Sequence, residues 1–375
     1  MVFSSSRTAD MPVFHFPRYS RINQYINSRI SRLQIEEGTI RLIAKEFDLV
    51  LRGKPVNLPF GRRGSNVSIV TSNGKKVIRR YRQKWKISTI NYEHSILSKL
   101  TDLDFPAPRL NRTSDSRSLI TVNGDHYALF DFADGKNYSS TYLLRSQRLM
   151  LIENAAKTLA DLHRSMDRFV PEGQHHLGFH GLSGDYIRDL EWQQQKLCEL
   201  SEKSQELLAS DDGPILEWLI SKHENVMELL IHLDRELQGC NLHRVIIHGD
   251  YGLHNILFHE SGKITPLDFE LARTEWRLTD FLISFLRFRK RNGGFDFGLI
   301  ERFIRSYHLR NPIDPHEWSL FPKVWQYNLL QFSIQYWNSY FEGAKNPVRL
   351  ELARDTILQS GWGLEQSNRL VNLIQ

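Results

Sequence analysis

Cysteine is scarce in this sequence, with only Cys198 and Cys240 among 375 residues. Two cysteines cannot build the disulfide framework of a small secreted domain, and no Cys-x-x-Cys pair is present to bind zinc. Apolar runs are also short, and none approaches the roughly 18 residues that a membrane span needs. These absences predict a protein of the reducing cytoplasm that has no membrane partner.

The excess of positive charge is small. The 49 Lys and Arg residues and the 43 Asp and Glu residues give a formal net charge of +6, which suits an anionic ligand such as a nucleotide. Seven basic residues fall between Lys75 and Lys86, and a nucleic-acid-binding patch is one interpretation of them. That run contains only two aromatic residues and no recognised binding motif. We therefore expect a solvated basic edge near a nucleotide and no nucleic-acid partner.

Residues 1–34 form a segment that is rich in Ser and Arg and nearly free of acidic residues. Transit peptides have this kind of composition, so removal of the segment is one interpretation. The alternative, which we favour, is a surface arm that precedes the first domain. No internal repeat or low-complexity tract follows it.

The pattern of apolar residues changes along the chain. Residues 64–132 show the patterns of several strands and one helix. Within this range, Asn73-Gly74 and Asn123-Gly124 each favour a tight hairpin. We therefore predict an α+β fold, with a small β-rich N-terminal lobe over residues 35–134 and a larger helical C-terminal lobe over residues 135–375. A cleft between two unlike lobes is a usual place for a ligand. Helices of the larger lobe are predicted over residues 148–166, 185–208, 214–237, 299–309 and 318–343.

The stretch VIIHGDYGLHNILFHESGKITPLDFELAR, residues 245–273, concentrates polar residues at the ends of short apolar runs. The pattern predicts a strand, a loop, a strand, a turn and a third strand that ends at Asp268. The loop carries Asp250 and Asn255, and the hairpin returns Asp268 to the same end. A carboxylate that accepts a proton from a hydroxyl, together with an amide and a second carboxylate that hold Mg²⁺, fits phosphoryl transfer. The alternative is that these residues only cap turns.

The motifs HGDYGLHN and LDFE resemble those of the aminoglycoside phosphotransferase and choline kinase group, which are relatives of protein kinases. The resemblance covers roughly residues 60–345. It implies a two-lobed protein-kinase-like fold that binds ATP and Mg²⁺. In that fold Asp250 would be the catalytic base, His248 would support the catalytic loop, and Asn255 and Asp268 would hold magnesium.

The resemblance also gives roles to two acids that follow the LDFE motif. Asp280 is expected to anchor the catalytic loop and not to take part in the chemistry. Glu270 stands where protein kinases have glycine, and choline-kinase-like members carry an acid there, so we predict a second metal ligand. If the strand continues through Phe269, Asp268 and Glu270 point to one face. The alternative is a solvent-facing glutamate. His254 and His259 receive no role.

A kinase-like N-terminal lobe needs a cation over the nucleotide phosphates, held by a glutamate on a helix. The strand KKVIRRY offers Arg79 for this place, and the helix that begins near NYEHSIL offers Glu93. Arginine is always charged and can bind phosphate through two donors, so it can replace the lysine found in many relatives.

Two further segments are assigned to the nucleotide by their position alone. The loop GRRGSNVS, with Gly64 and Ser65, is placed where a phosphate-covering loop belongs. The segment YALFDFADG is placed at the hinge between the lobes. There the backbone from Phe130 to Phe132 is expected to bind the adenine edge.

The acceptor is less well defined. An acidic pocket would suit a cation, but Asp185, Asp189 and Glu191 also fit the start of a helix. The aromatic run from Trp318 to Phe341 could line a pocket, although helix packing is the favoured interpretation.

We predict an ATP- and Mg²⁺-dependent transferase that phosphorylates a hydroxyl of an aminoglycoside, amino alcohol, homoserine-like compound or sugar. An atypical Ser/Thr protein kinase is the alternative, although only eleven residues separate Asp268 from Asp280, which leaves little room for an activation segment. A non-catalytic nucleotide-binding module is the third possibility. The sequence makes no prediction about the oligomeric state.

Overall fold

A computed structural model describes residues 35–58, 65–83, 85–139, 143–178, 186–187, 189–288, 295–343 and 345–374. The expected N-terminal arm over residues 1–34 lies outside these ranges. In the part of the chain that is described, no helix combines the length and the apolar character that crossing a membrane would require.

The N-terminal lobe is a five-stranded antiparallel sheet with one helix before it and one within it. The strand order is β1-β2-β3-β5-β4. Both predicted hairpins are confirmed, because Thr71 pairs with Gly74 and Val122 pairs with Asp125. The elements are α1 Glu37–Glu46, β1 Val56–Asn57, β2 Ser65–Thr71, β3 Gly74–Arg80, α2 Ile87–Asp102, β4 Ile120–Val122 and β5 Asp125–Asp131.

The two faces of this sheet bury different residues because side chains alternate along each strand. Ile78 and Leu129 pack with α1 in a small core of their own. Ala128 and Phe130 point to the other face and join α2 and the helical lobe in the main core. Arg79 follows Ile78 on β3, so its side chain lies on the face that looks toward the helical lobe.

The C-terminal lobe is mainly helical, and the predicted helices are present with shifted ends. The helix predicted over residues 318–343 is divided at Leu320, and Pro322 lies in the first turn of the second piece. Asp189 caps the helix that follows it by accepting a bond from the Trp192 amide at 3.0 Å, while Asp185 lies outside the described residues. The helices are α3 Arg145–Ser165, α4 Leu190–Gln205, α5 Gly213–Gln238, α6 Arg277–Phe288, α7 Phe297–Arg310, α8 Pro315–Ser319, α9 Phe321–Glu342, α10 Val348–Ser360, α11 Trp362–Glu365 and α12 Ser367–Val371.

The aromatic run from Trp318 to Phe341 belongs to the core of this lobe. Trp318 and Trp325 are fully buried, and Trp337 and Tyr340 are nearly so. The Trp318 ring stacks on Phe321 with 4.7 Å between centroids. Helix packing, the favoured interpretation of this run, is therefore confirmed for these side chains.

Short strands between α5 and α6 carry the polar motifs of the central stretch. β8 pairs with β11, and β9 pairs with β10, both in antiparallel register. The loop between β8 and β9 holds residues 248–255, and the turn after β10 holds Asp268. A parallel pair of two-residue strands, β6 and β7, lies before α4. The strands are β6 Leu177–Gly178, β7 Tyr186–Ile187, β8 Arg244–Ile247, β9 Ile256–Phe258, β10 Ile264–Pro266 and β11 Arg273–Trp276.

Candidate active site

Asp280 fixes the start of the loop that follows β8. Its two carboxylate oxygens accept bonds from the backbone amides of His248 at 2.7 Å and Gly249 at 2.9 Å. The side chain is fully buried, and His163 Nε2 also donates to it at 3.1 Å. Burial alone would raise the pKa of Asp280, but the bonds from His163 and Gly249 outweigh it and hold that pKa below its usual value. The prediction that Asp280 anchors this loop is confirmed.

Gly249 lets this loop lie against the segment that follows Asp268. Its φ is +77°, and a Cβ there would come within 2.3 Å of the Leu271 carbonyl oxygen. Only glycine combines that backbone conformation with such a close approach. The two polar loops of the site are thus joined by backbone contact.

His248 joins the same two loops through its ring. Nε2 donates to the Leu267 carbonyl at 2.9 Å, and Nδ1 accepts the Asp250 amide at 3.3 Å, which assigns the tautomer. Burial lowers the pKa of His248, so the neutral ring that these bonds require is favoured. Both ring nitrogens are engaged in holding backbone. His248 therefore supports the loop through its contacts with backbone groups.

Asp250 lies at the centre of a group of donors. Asn255 Nδ2 and His254 Nε2 each donate to Oδ2 at 3.1 Å, and Arg287 Nε donates to Oδ1 at 2.7 Å. Burial opposes ionisation, but the His254 bond and the Arg287 charge prevail and hold the pKa of Asp250 well below its usual value. Asp250 is therefore a carboxylate at neutral pH that can accept a hydrogen bond from a hydroxyl.

Two of these partners were not expected from the sequence. His254, which received no role, bonds directly to Asp250 through Nε2. Its spacing of four residues from Asp250 within one loop is a local signal for this contact. Arg287 lies 37 residues away at the end of α6, and no local pattern connects it to the loop.

A third unexpected residue, Asn137, ties the segment after the hinge to the same loop. Asn137 Nδ2 lies within bonding distance of the carbonyl oxygens of Leu253 at 2.8 Å, His254 at 3.1 Å and Ile256 at 3.1 Å. Its Oδ1 accepts bonds from the amide and hydroxyl of Ser139. Asn137 thus holds the carbonyls on both sides of Asn255.

Asn255 and Asp268 have the donor chemistry that Mg²⁺ prefers. Asn255 Nδ2 donates to the carbonyl and the carboxylate of Asp250, both at 3.1 Å, so the amide oxygen Oδ1 is the atom directed away from them. Asp268 adopts a left-handed backbone conformation with φ 62°, and its side chain is 37% exposed. Among the described ranges, no group of three or more His, Cys, Asp and Glu side chains is arranged to hold a metal. The two oxygens fit an ion that completes its shell with phosphate and water.

Glu270 is placed differently from the prediction. β10 ends at Pro266, and a short 3₁₀ turn over Phe269–Leu271 follows Asp268, so the strand does not continue through Phe269. Glu270 is not a solvent-facing acid either, because its side chain is only 14% exposed. Arg82 Nη2 lies 2.6 Å from Oε1 and Arg79 Nη2 lies 3.2 Å from Oε2.

Arg79 connects the N-terminal lobe to both acids of the metal loop. Its predicted pair with Glu93 is confirmed at 3.0 Å between Nη1 and Oε1. Nη2 lies 3.3 Å from Asp268 and 3.2 Å from Glu270. Burial would lower the pKa of Arg79, but the carboxylates around it raise that pKa further above its usual value. Burial raises the pKa of Glu93 to about 7, against the opposing effect of Arg79. Arg79 is the cation between Asp268 and Glu270.

The predicted nucleotide contacts elsewhere in the small lobe are only partly described. Gly64 lies outside the described residues, and Ser65 begins β2, where its backbone pairs with Arg80. Phe130 is buried within β5 and paired on both sides, so its backbone is not available to an adenine edge, and the prediction is corrected there. The Phe132 amide donates to the Lys75 carbonyl at 3.1 Å. Backbone donors for adenine would therefore have to follow Phe132.

The sequence matches the profile of the phosphotransferase enzyme family over residues 57–321, which is more than two thirds of the chain. The chain belongs to the phosphotransferase enzyme family. The predicted family, the two-lobed kinase-like fold and the predicted class of enzyme, a phosphotransferase that acts on hydroxyl groups, are confirmed.

Individual relatives of this phosphotransferase are distant. Homoserine kinase of Caulobacter vibrioides strain NA1000 / CB15N is 22% identical over 323 residues, which cover 82% of this chain and 93% of the relative. The microcompartment-associated aminopropanol kinase has a TM-score of 0.60 at 17% identity, covering 90% of this chain and all of the other. Amicoumacin kinase hAmiN in complex with AMP-PNP, Ca²⁺ and Ami has a TM-score of 0.56 at 12% identity, and the match covers 90% of this chain and 95% of the other.

Proposed function

We propose that this phosphotransferase moves the γ-phosphoryl group of ATP to a hydroxyl of a small molecule, with Mg²⁺ as cofactor. One observation carries the proposal. Asp280 holds the loop that presents Asp250, and the same loop places Asn255 against Asp250. A carboxylate acceptor for a hydroxyl proton thus lies beside a ligand for the phosphate-bound metal, as phosphoryl transfer requires.

In this proposal Asp250 binds the acceptor hydroxyl, orients its oxygen toward the γ-phosphorus and accepts its proton as the new bond forms. The low pKa of Asp250 favours the ionised form that must accept this proton. His248 is a supporting residue, since both of its ring nitrogens hold backbone groups of the two loops.

Magnesium, when bound, would offset the negative charge that develops on the phosphates during transfer. Asn255 Oδ1 and the Asp268 carboxylate would hold it, and Glu270 is proposed as the ligand of a second ion. Arg79, held by Glu93, would contact the phosphates. The nucleotide in the amicoumacin kinase complex supports a nucleotide site in this fold.

The small-molecule acceptor is favoured over a protein for a structural reason. The eleven residues between Asp268 and Asp280 are occupied by a 3₁₀ turn, β11 and the start of α6. No span there is long enough to serve as an activation segment. The names of the relatives, homoserine kinase and aminopropanol kinase, support a small hydroxyl compound. The free cysteines Cys198 and Cys240 support the proposed cytoplasmic location.

The test is a screen of hydroxyl compounds for ADP release from ATP, with the mass of each phosphorylated product measured. Asp250→Asn should lower turnover of any accepted compound by about 10²- to 10⁴-fold, while affinity for AMP-PNP stays within a few-fold. An Asp250→Asn enzyme that keeps more than half of wild-type turnover would remove Asp250 from this role. Absence of ATP consumption with every class of alcohol would contradict the proposed reaction.

A further inference from the structure

Arg287 is a cation in direct contact with Asp250, the residue at the proposed point of transfer. It lies in the last turn of α6, and its Nε and Nη2 are 2.7 Å and 2.6 Å from Asp250 Oδ1. The Asp250 side chain is 19% exposed, whereas the Arg287 side chain is 43% exposed. Arg287 therefore contacts the carboxylate while a larger fraction of its own side chain is exposed to solvent.

The two oxygens of Asp250 distinguish the two sides of the site. Oδ2 is directed to Asn255, the proposed metal ligand, so this oxygen marks the side of the ATP phosphates. Oδ1 is directed to Arg287. Arg287 thus contacts the oxygen of Asp250 that is not bonded to the proposed metal ligand Asn255, and we place the acceptor on that side because in-line transfer needs it away from the metal-bound phosphates.

Arg287 contacts the catalytic loop close to its own backbone, and not only through the end of its side chain. A Cβ on Gly252 would lie 2.4 Å from Arg287 Cβ and 2.9 Å from Cγ. Any other residue at position 252 would push the end of α6 away from the loop. The absence of a side chain at Gly252 therefore allows the aliphatic part of Arg287 to lie directly against the catalytic loop.

We infer that Arg287 is a specificity-determining residue that binds a carboxylate of the acceptor, so that the acceptor is a hydroxy amino acid or a hydroxy acid. This inference rests on the proposed function. A guanidinium has enough N–H donors to contact more than one carboxylate, and its bonds to carboxylates are among the stronger ones in proteins. A polycationic acceptor would instead meet a positive group beside a carboxylate that is already paired.

The experiment compares acceptors that differ only by a carboxylate. L-homoserine and 3-amino-1-propanol form one such pair, L-serine and ethanolamine a second, and glycerate and ethylene glycol a third. For wild-type enzyme, kcat/KM should favour the carboxylate member by about tenfold to a hundredfold, the value of a charged hydrogen bond. Arg287→Met should abolish this ratio, mainly through a higher KM for the carboxylate member, and Arg287→Lys should retain part of it.

Two comparisons distinguish recognition of the acceptor carboxylate by Arg287 from an effect of the substitution on the ionisation of Asp250. Loss of Arg287 will shift the acid limb of the pH–rate profile, but that shift should be equal for both members of a pair, whereas the ratio between them should fall. Arg302→Gln removes another exposed arginine, which pairs with Glu153 on α3, and should leave the ratio at its wild-type value.

The inference is overturned if wild-type enzyme accepts only compounds without a carboxylate, or if the carboxylate preference survives in Arg287→Met. Either result leaves phosphoryl transfer to a small hydroxyl compound in place. No ADP release with any alcohol, in the panel or in the wider screen, would remove the proposed function and this inference together.

Discussion

Asp280→Asn tests whether one buried carboxylate sets the geometry of the catalytic loop. The change keeps the size of the side chain but replaces one acceptor oxygen by an NH₂ donor. In either orientation of the amide, at least one backbone N–H of His248 or Gly249 would then face another donor. A charge-assisted bond contributes about 1.5–3 kcal/mol, and a buried donor left without an acceptor costs about 1–3 kcal/mol. We therefore expect the free energy of unfolding to fall by about 2–5 kcal/mol.

Urea unfolding followed by tryptophan fluorescence measures this loss, and kcat is measured far below the unfolding midpoint. The pKa of Asp280 is depressed in the folded state, so the difference between wild type and variant should be fully present above the unfolded pKa of about 4. It should shrink as the pH falls through the lower folded value. Asp234→Asn is the control, because Asp234 is also buried but bonds to Tyr327 on α9 and to Gln238 on its own helix α5, neither of which belongs to the catalytic loop. That variant should lose stability and keep kcat. An Asp280→Asn enzyme within about 0.5 kcal/mol of wild type, with normal kcat, would refute the reasoning.

Four further substitutions concern Arg79, the acids Asp268 and Glu270 that it contacts, and Asn137. Arg79→Met should weaken binding of ATP by about tenfold to a hundredfold but leave adenosine affinity nearly unchanged, since the lost contacts are to phosphate; calorimetry with both ligands measures this, and equal weakening would indicate general damage to the small lobe. Asp268→Ala should remove the dependence of ATP binding on magnesium, and Glu270→Gln should raise the magnesium concentration for half-maximal activity by less; unchanged magnesium titrations would contradict these assignments. Asn137→Ala should lower kcat with a loss of about 1–3 kcal/mol of stability, and a loss of stability with unaltered kcat would show that Asn137 does not position the loop.

Sequence patterns predicted the parts of the site that depend on short-range periodicity. Arg79 faces the cleft because β3 alternates, and Glu93 lies on the next helix, so their contact follows from two neighbouring elements. The anchored loop was not predicted from periodicity: the role of Asp280 came from the resemblance to the aminoglycoside phosphotransferase and choline kinase group, and the bonds from the His248 and Gly249 amides agree with it.

Contacts between distant segments could not be predicted in the same way. Asn137 meets a loop more than 115 residues later in the chain, and its motif indicates only a polar break. Arg287 is one of several basic residues near the end of α6, and nothing local distinguishes it from the others. The strand expected through Phe269 was wrong because Asp268 takes a left-handed conformation, which an aspartate tolerates better than most residues.

The cluster of Arg79 with Glu93, Asp268 and Glu270 has a consequence for the order and strength of ligand binding. In the described state Arg79 pairs with Asp268 and, together with Arg82, with Glu270. Magnesium would bind these acids, and Arg79 would bind phosphate. Each ligand therefore releases the partner that the other needs. Binding of metal and nucleotide should be positively coupled, and the coupling must be reciprocal: magnesium tightens ATP by the same factor by which ATP tightens magnesium. A single guanidinium shared between the two lobes is enough to make the two ligands thermodynamically dependent on each other.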